Sequence, residues 1–600
     1  MAQELKSISL VAPAFKGINT EDSPLAQDPS FAENADNAVI DKRGRIAARK
    51  GLTVITTDKT QLGTASIEGI KEFRDNAGNT KIFSVGNNKI LSGTATLADE
   101  TPGGYAISAN KWKMVNFNDS IYFFQRGYQP LVYNVTASGS PGGANSSVVT
   151  LSSVNSAAGV TSAMYGNEVL AAYGRLWTAD FATNKSIIYW SDLLIGYDWS
   201  GGTSGSIDIS KVWPDGFDEI VALAAHNNLL IIFGKRSIVV YGGADAPATM
   251  ALTDTVAGVG CVDRDTVQYT GTDVLFLSQT GLKSFGRTIQ EKSMPISSLS
   301  GTITTDIIQL INETGEVFKS VYHPEESFYL LSFVEQGITF CFDVRGTLEN
   351  GSYRVTRWPG TGFTSYERKD NGELLIGSRF AIGQYLGYRA PNYASNGDLE
   401  YVAYGFSYFS PEMTFGDASK LKFLKKLRPT IVGGSGADAF IKWSYDFGSI
   451  YNSASIGIRS QGRSEFSTSE YPAYSELAGY GISSTGNVDI GEVVVVNKFL
   501  GDFTSAPTTG SGGGALLNGD SYFDTANDIF YVYISGAFVD LDTLVPATVS
   551  EFSDGELTSR NSVSASGSGT TLTIGIEADI DGEELSIQDI NVLALIGKTL

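Results

Sequence analysis

Apolar residues recur along most of the chain in runs of four to six, bounded by Gly, Asn, Asp and Ser. The runs are rich in Ile, Val, Tyr, Phe and Thr, a composition typical of β-strands, whereas the periodicity of a helix is almost absent. The pattern therefore predicts an all-β protein.

One unit recurs within this pattern: an apolar strand, a polar turn, and a second strand that usually contains an aromatic residue. Its instances begin at Ile82, Ile121, Val169, Leu229, Val274, Phe328 and Leu374. Their spacing is close to the ~40–50 residues of a four-stranded propeller blade. We predict a β-propeller of six or seven blades between about Leu62 and Arg389, with these hairpins as the inner hairpins. A β-sandwich array is the alternative, although it would not predict a regular hairpin.

Composition divides the chain into further segments. We predict an N-terminal segment (residues 1–60) that joins a platform to the propeller, the propeller itself (61–395), and a β-rich platform or nozzle domain (396–500). An inserted β-hairpin module with a Gly-, Ser- and Thr-rich lead (501–569) and closing strands of the platform (570–600) follow. Residues 136–163 are mostly small, so we expect a long loop without a core there.

Charge limits the function. The 600 residues contain 43 Lys+Arg against 65 Asp+Glu, a net charge of −22. This argues against a protein that grips DNA over its whole surface, because such affinity depends on cations that neutralise phosphates. The main basic run is the exception. We predict that it contacts DNA phosphate or an acidic partner surface through Lys420, Lys422, Lys425, Lys426 and Arg428.

Alternation along a strand would place Lys420 and Lys422, and with them Lys426, on one face of this run. A second interpretation is a solvated strand face whose lysines guard a sheet edge against pairing with other chains. Both interpretations are open from the sequence.

Cysteine and histidine are scarce. Cys261 and Cys341 lie among apolar strand residues and are predicted to be buried thiols, whereas His226 and His323 lie in turn-like contexts and are predicted to be at the surface. Zinc clusters and His-dependent triads need more of these residues. Asp36, Asp41 and the acidic residues 579–584 do not keep the spacing of a calcium loop. We therefore expect no cofactor, no metal and no catalytic residues.

Targeting signals are not apparent either. The N-terminus has no continuous apolar region of the kind found in signal peptides, and the most apolar runs, such as residues 229–233, are far shorter than the ~20 residues of a membrane span. We expect a soluble chain with no membrane span and no secretion signal.

Several phrases stand in an order and spacing that resemble one family. They include Phe-Lys-Gly-Ile-Asn-Thr (15–20), Ser-Pro-Leu (23–25), Arg-Lys-Gly (49–51), and residues 34–41, 44–46, 174–180, 188–192, 228–241, 260–265 and 585–598. Together they resemble the tail nozzle proteins of short-tailed bacteriophages, also called tail tubular protein B and related to the packaged-DNA stabilisation proteins. The resemblance spans nearly the whole chain, but each phrase alone could belong to any propeller.

The resemblance implies a structural protein of the virion tail rather than an enzyme. It implies a ring of about six copies below the tail adaptor and connector, which forms the distal tail tube, retains packaged DNA and conducts it during ejection. The implied partners are further copies of the chain, the adaptor or connector, the tail fibre proteins, and double-stranded DNA that passes without sequence-specific binding. Weakly repelling walls suit such a conduit, since each phosphate–lysine contact would impede sliding.

Two other functions are open from the sequence. One is a carbohydrate-binding propeller, an adhesin or lectin, with Trp177, Trp190 and Trp199 as stacking platforms, although these could equally be core residues. The other, less favoured, is a propeller glycoside hydrolase with paired carboxylates, for which no local motif singles out a pair.

The inserted module is predicted from a hairpin phrase that resembles one found in phage tail and fibre proteins. The phrase consists of residues 518–525, 529–533 and 536–538.

Overall fold

The structure is a computed structural model. It describes residues 4–599 except 12–13, 108–110, 136–146, 155–158, 162–163, 292–297, 394–398, 435–436, 459–497, 511–512, 518–519, 528, 535 and 541–557. The chain forms two compact units. The first consists of Met1–Thr430, Ala437–Ile456 and Arg560–Leu600, and the second of Ile431–Gly436 and Gly457–Ser559.

The first unit contains a seven-bladed β-propeller, so the predicted fold class is confirmed. Blades 1 to 4 have four strands each: Gly69–Arg74, Thr80–Gly86, Lys89–Ser92 and Ala98–Asp99 in blade 1; Lys113–Phe117, Ser120–Gln125, Tyr128–Tyr133 and Val149–Thr150 in blade 2; Glu168–Ala172, Arg175–Ala179, Ile187–Trp190 and Gly205–Asp208 in blade 3; and Ile220–His226, Leu229–Gly234, Ser237–Gly242 and Ala251–Ala257 in blade 4. Blade 5 has three, Gln268–Tyr269, Val274–Ser278 and Gly281–Ser284, and blade 6 has four, Phe318–His323, Phe328–Phe333, Ile338–Thr347 and Tyr353–Pro359. Blade 7 consists of Ser365–Arg368, Leu374–Ser378 and Ala381–Gln384 and is completed by Thr53–Val54.

Helices are few in the described residues. They are Leu151–Val154, Phe285–Gln290 and Thr304–Ile311, together with the 3₁₀ turns Pro247–Thr249 and Arg264–Thr266. Phe285–Gln290 begins at Ser284, whose hydroxyl accepts a hydrogen bond from the Arg287 amide, a usual N-cap for so short a helix.

The ring closes by an exchange between the two ends of the propeller. Thr53–Val54 precedes blade 1 in the chain but pairs antiparallel with the third strand of blade 7, Val54 opposite Gly383. Apolar side chains of blade 7, such as Leu375 and Ile382, also pack against Ile70 and Leu91 of blade 1. Closure covers the two apolar blade faces that an open stack of blades would leave exposed.

Tight turns set the register of the hairpins. Asn87 and Asn88 in blade 1, and Asn227 and Asn228 in blade 4, have positive φ at both central positions of a two-residue loop. Two positive φ values match the twist of the flanking strands, and asparagine tolerates them better than most residues do. The local sequence therefore specifies where each of these hairpins turns.

The core lies between blades rather than within them. One cluster joins Phe83 of blade 1 to Phe123 of blade 2, and another joins Trp177 of blade 3 to Leu223 of blade 4. Because each sheet is apolar on both faces, a blade becomes stable only when its neighbours cover it.

Blade 6 extends beyond the propeller into the platform sheet, which we define as Asn34–Asp36, Tyr404–Phe409, Leu572–Ile580, Asp438–Tyr445 and Asn452–Ile456. Asn34–Asp36 pairs parallel with the outer strand of blade 6 and antiparallel with Tyr404–Phe409. One nine-stranded sheet thus connects blade 6 to the platform.

A second sheet, the terminal sheet, combines strands from both ends of the chain. Its strands are Glu4–Leu10, Ala38–Ile40, Ile46–Ala48, Lys420–Gly433, Val563–Ser564, Ser568–Gly569 and Leu585–Thr599, with the short strand Thr558–Arg560. Glu4 lies opposite Ile596 in an antiparallel pair that continues to Leu10. A two-stranded ribbon, Ala390–Tyr393 with Leu399–Val402, completes the described strands of this unit.

The second unit contains a small four-stranded sheet. Its strands are Lys498–Phe503, Asp520–Asp524, Ile529–Ile534 and Ala537–Asp540, of which the first two run parallel. Tyr522 stacks on Tyr531 with centroids 5.3 Å apart, a cross-strand aromatic pair that stabilises a sheet of this size. Residues 518–519 of the sequence phrase that predicted this module lie outside the described residues, and the predicted domain boundaries stay predictions.

Two expectations need correction. The recurring hairpins are the second and third strands of most blades, and the first and second in blade 3, rather than the inner hairpin. Middle strands are covered on both faces and paired on both edges, so they carry the longest apolar runs, as in Leu229–Gly234.

Residues 136–163 are not all loop, because Val149–Thr150 is a strand and Leu151 and Val154 are buried. Residues 136–146, 155–158 and 162–163 of this stretch lie outside the described residues.

Candidate functional site

Charged side chains surround the centre of the propeller. First strands of neighbouring blades contact one another there, and blades 1, 2, 5, 6 and 7 line a cavity of about 330 Å³, which we call the axial pocket. Lys71 Nζ lies 2.9 Å from Glu367 Oε1, and Lys319 Nζ lies 2.6 Å from Asp265 Oδ2. The first pair connects blades 1 and 7, from the two ends of the propeller, and the second connects the consecutive blades 5 and 6.

Blades 2, 3 and 4 are joined beside this pocket by one buried carboxylate. Glu168 accepts hydrogen bonds from Lys113 Nζ at 2.6 and 2.8 Å and from the Leu223 amide at 3.2 Å. Its side chain is fully buried, whereas that of Lys113 is 26% exposed. Such a carboxylate depends on its partners, because a buried charge without them is costly.

The acid groups of the axis have shifted pKa values. Burial raises the pKa of Glu168 and of Glu367, although Lys113 and Lys71 oppose the shift. Burial alone would also raise the pKa of Asp265, but the charges of Lys319 and Arg264 outweigh it and hold that pKa below its usual range. Each of these carboxylates already pairs with a lysine of a neighbouring blade, so they link the blades electrostatically.

The predicted basic residues occupy a 14-residue strand, Lys420–Gly433. Lys425 and Lys426 are exposed, Arg428 is half-buried, and Lys420 Nζ lies 3.2 Å from Asp417 Oδ2. The strand pairs on both sides, with Leu585–Thr599 and with Val563–Ser564 and Ser568–Gly569. Lysines guarding a sheet edge are therefore not the explanation here.

Lys422 differs from the other four. It is fully buried, and its ammonium donates to the main-chain carbonyls of Asp417 and, at 2.6 Å, of Thr570. Burial lowers its pKa. The expectation that Lys422 contacts DNA or a partner is wrong for this fold, because its side chain faces the protein interior. Contact through Lys420, Lys425, Lys426 and Arg428 stays a prediction.

Replacing Lys422 should therefore affect stability rather than binding. We expect Lys422→Met to lower the free energy of unfolding by about 1.5 kcal/mol, since two carbonyls lose a charged donor. Lys425→Met, at an exposed position of the same strand, should change it by less than about 0.5 kcal/mol. Denaturant unfolding followed by tryptophan fluorescence measures both, because all seven tryptophans lie in the first unit. Equal effects of the two substitutions would contradict this assignment.

The proposed stacking tryptophans are core residues. Trp177, Trp190 and Trp199 are at most 6% exposed, and each indole nitrogen donates to a main-chain carbonyl about 3 Å away. They offer no open face to a sugar.

His226 and His323 are buried as well, which corrects the expected surface positions, because both end the first strand of a blade. The prediction of two buried free thiols, Cys261 and Cys341, is confirmed.

The Arg-Lys-Gly phrase lies where propeller and platform meet within the first unit. The Arg49 guanidinium lies over the rings of Trp358, at 5.5 Å, and Tyr404, at 4.7 Å, and its Nε donates to Asn37 Oδ1. Trp358 belongs to blade 6 and Tyr404 to the platform sheet. Burial lowers the pKa of Arg49, and the two aromatic faces compensate by cation–π attraction.

Other residues of the N-terminal phrases reach the same outer strand of blade 6. The Ile18 amide donates to the Val355 carbonyl at 2.8 Å, and Asp36 pairs with Arg357 at 2.7 Å. A Cβ on Gly17 would lie 2.6 Å from the Val355 nitrogen, so this close approach requires glycine. These phrases therefore act together in attaching the N-terminal segment to blade 6.

In the described part of the chain, no three His, Cys, Asp or Glu side chains are grouped so that they could hold a metal ion. Asp36 and Asp41 are engaged by Arg357 and Arg45 instead. Among the same residues, no helix has the length and apolar character to cross a membrane.

Comparison with known proteins adds little beyond the fold. No protein-family model and no curated protein matches the chain. A streptogramin B lyase structure is 10% identical, with a TM-score of 0.33 over 56% of this chain and 97% of that one. The Neurospora crassa Pan2 WD40 domain is 10% identical, with a TM-score of 0.31 over 56% and 94%. The WD40 β-propeller domain of Doa1 is 12% identical, with a TM-score of 0.24 over 45% and 90%. Such distant likenesses carry no argument about function.

The charged residues of the axis were not foreseen from the sequence. Lys113 and Glu168 each open the first strand of a blade, and Lys71 lies within one, between Ile70 and Glu72. A charged residue in the first strand of a blade is a signal that could have identified them, because a charge in that buried position needs a partner.

Proposed function

We propose that this protein is a tail nozzle subunit of a short-tailed bacteriophage. In this proposal about six copies form a ring below the adaptor in the virion tail, hold packaged DNA and conduct it during ejection, without catalysis or a cofactor. Tail fibre proteins would contact the ring. The proposal builds on the resemblance of the sequence to that family. It assigns the protein a structural role rather than a catalytic one.

The observation that carries the proposal is the shared location of the resembling phrases. Residues 15–20, 34–41 and 49–51 were matched as separate stretches, yet Ile18, Asp36 and Arg49 all contact the outer strand of blade 6. Phrases that resemble one family and together hold a propeller to a platform sheet support a common architecture with that family. These contacts hold the propeller and the platform sheet in a fixed arrangement, and a tube that bears load needs such rigidity.

On the proposed function, the axis of the propeller would not conduct DNA, because ion pairs such as Lys71–Glu367 and Lys319–Asp265 connect neighbouring blades around it. On the proposed function, the lumen would therefore be formed between copies of the chain around a common symmetry axis. Rings of this kind arise from heterologous contacts whose rotation closes. The net charge of −22 suits a wall that repels a passing duplex weakly.

The oligomeric state tests the proposal. We expect the purified full-length chain, alone or mixed with its adaptor, to form closed rings of about six copies in negative-stain images, because the tail tube needs a continuous wall. In the same images, Lys425→Gln/Lys426→Gln should reduce ring formation, whereas Lys235→Gln, at an exposed lysine of blade 4, should not. In assembled particles, the same double variant should retain less packaged DNA than Lys235→Gln does. A chain that remains monomeric with its adaptor present would contradict the proposed function.

A further inference from the structure

Two buried donors that belong to residues lining the axial pocket have no hydrogen-bond partner among the described residues. They are Nη1 of Arg264 and Nε1 of Trp112. Both residues are only 4% exposed, and both line the pocket. A buried donor left without an acceptor costs free energy, about 1–3 kcal/mol for a neutral group and more for a charged one. Two such donors on residues of one cavity wall would be satisfied by an acceptor that reaches both of them.

The position of Arg264 is fixed by its other contacts. Its Nη2 donates to the Lys111 carbonyl at 2.8 Å, and its Nε lies 3.3 Å from Asp265 Oδ1. Lys111 immediately precedes Trp112, so one hydrogen bond ties the arginine to the segment that carries the indole. The two donors are thus held by the fold before any ligand is present, which lowers the entropic cost of binding.

The residues that line the pocket include five cations and three carboxylates. Asp265 is shared between two cations, Lys319 at 2.6 Å and Arg264 at 3.3 Å, so a single carboxylate faces both. The pairs Lys71–Glu367 and Lys113–Glu168 are balanced, and Arg368 pairs with Glu325. Glu68 also lines the pocket, and burial raises its pKa, which makes it easier to neutralise.

We propose that the axial pocket binds a small oxyanion, a carboxylate or phosphate group, through Arg264 and Trp112. An oxyanion supplies several acceptor lone pairs, which can take both donors at once, and hydrogen bonds from a guanidinium to such a group are among the strong ones. A cavity of about 330 Å³ lies at the lower end of the range of small-molecule sites. It accommodates more than a bare ion, so a small organic acid or phosphate ester fits as well.

The proposal is independent of the nozzle function, since it concerns one chain and its own axis. A bound oxyanion would cross-link blades 2 and 5 across the pocket. Because a ligand that binds only the folded state stabilises it by mass action, the unfolding temperature should rise with ligand concentration.

Titration of the full-length chain with inorganic phosphate and with citrate, each followed by calorimetry and thermal unfolding, tests the site. We expect saturable binding, and Trp112→Phe, which removes the indole donor but keeps an aromatic ring, should weaken it by about tenfold. Arg264→Gln should weaken it at least as much. Trp213→Phe is the matched control, because that indole is equally buried but donates to Ser186 Oγ at 3.2 Å in blade 3.

Three outcomes would overturn the proposal. The first is that neither phosphate nor citrate binds at millimolar concentration to the wild-type chain. The second is that Trp112→Phe, shown by its circular dichroism to be folded, binds as tightly as wild type. The third is that sodium chloride at equal ionic strength reproduces the thermal shift, which would indicate screening of the ion pairs rather than a site. Preference for phosphate over citrate, or the reverse, would identify which oxyanion source the pocket suits.

Discussion

Lys113→Met should lower the free energy of unfolding of the first unit by about 3 kcal/mol at pH 7, because removing one partner of a buried ion pair leaves the other charge uncompensated. The carboxylate left behind is that of Glu168, which is fully buried and would keep only the hydrogen bond from the Leu223 amide and the more distant charge of Arg264. Denaturant unfolding followed by tryptophan fluorescence measures the loss.

The loss should depend on pH in a defined direction. Burial raises the folded-state pKa of Glu168 above its ordinary value of 4.5. Ionising this group therefore disfavours folding, and the penalty is absent below the unfolded-state pKa and grows as the pH rises through the folded-state pKa. Lys113 offsets the penalty in the wild-type chain. The difference between Lys113→Met and wild type should thus be largest near neutral pH and shrink toward about pH 4.5.

Two further variants complete this experiment. Glu168→Gln added to Lys113→Met removes the uncompensated charge and should recover part of the lost stability. Lys235→Met breaks a pair of similar length, 2.7 Å to Glu219, but its lysine is 59% exposed, so the change should stay below about 1 kcal/mol. A loss from Lys113→Met that is the same at pH 4.5 and pH 7 would show that packing, and not the charge of Glu168, explains it.

Gly51→Ala should destabilise the closed ring by about 3 kcal/mol, the upper part of the usual range for overpacking. A Cβ at this position would overlap the Arg389 carbonyl oxygen, with the Arg389 nitrogen only 2.8 Å away, and main chain cannot rotate aside as a side chain can. The Gly51 amide also donates to the Gly387 carbonyl at 2.7 Å. Since Thr53–Val54 follows two residues later, the displacement should loosen its pairing with blade 7.

Hydrogen exchange locates this effect. Amides of residues 381–384 should exchange faster in Gly51→Ala, together with a lower unfolding midpoint of tryptophan fluorescence. Gly405→Ala is the matched control, because this strand glycine has open space around the added Cβ and no positive φ, so its effect should stay within about 0.5 kcal/mol. If both alanine variants unfold at the wild-type midpoint, ring closure does not depend on the close approach at Gly51.

The hairpins of the propeller were predictable because their information is local. The apolar runs beginning at Leu229 and Phe328 form strands of hairpins, as their pattern indicated, although each is the second strand of its blade and not the first. Turn residues such as Asn227 and Asn228 fix each hairpin through their own backbone preferences. The number of blades could be bounded in the same way, since one hairpin was found for each of the seven.

The candidate site was much less predictable. Lys420 and Lys422 look alike in the sequence, yet one is at the surface and the other is buried beneath main-chain carbonyls. The partner of Lys422 at Thr570 is remote in the chain, and the same holds for Lys71 with Glu367. Which charges meet depends on how the ring closes, and no alternation within one strand contains that information.

The sequence by itself determined that this protein is all-β, that a hairpin repeats at the spacing of propeller blades, and that both thiols are buried. These properties follow from neighbouring residues, since strand alternation, turn conformations and apolar runs are all local. Only the tertiary structure decided that Thr53–Val54 completes blade 7, that blade 6 continues into the platform sheet, and that Arg264 and Trp112 meet at one pocket. Each of these joins residues distant in the chain, and burial and charge pairing exist only once the blades have packed into a ring.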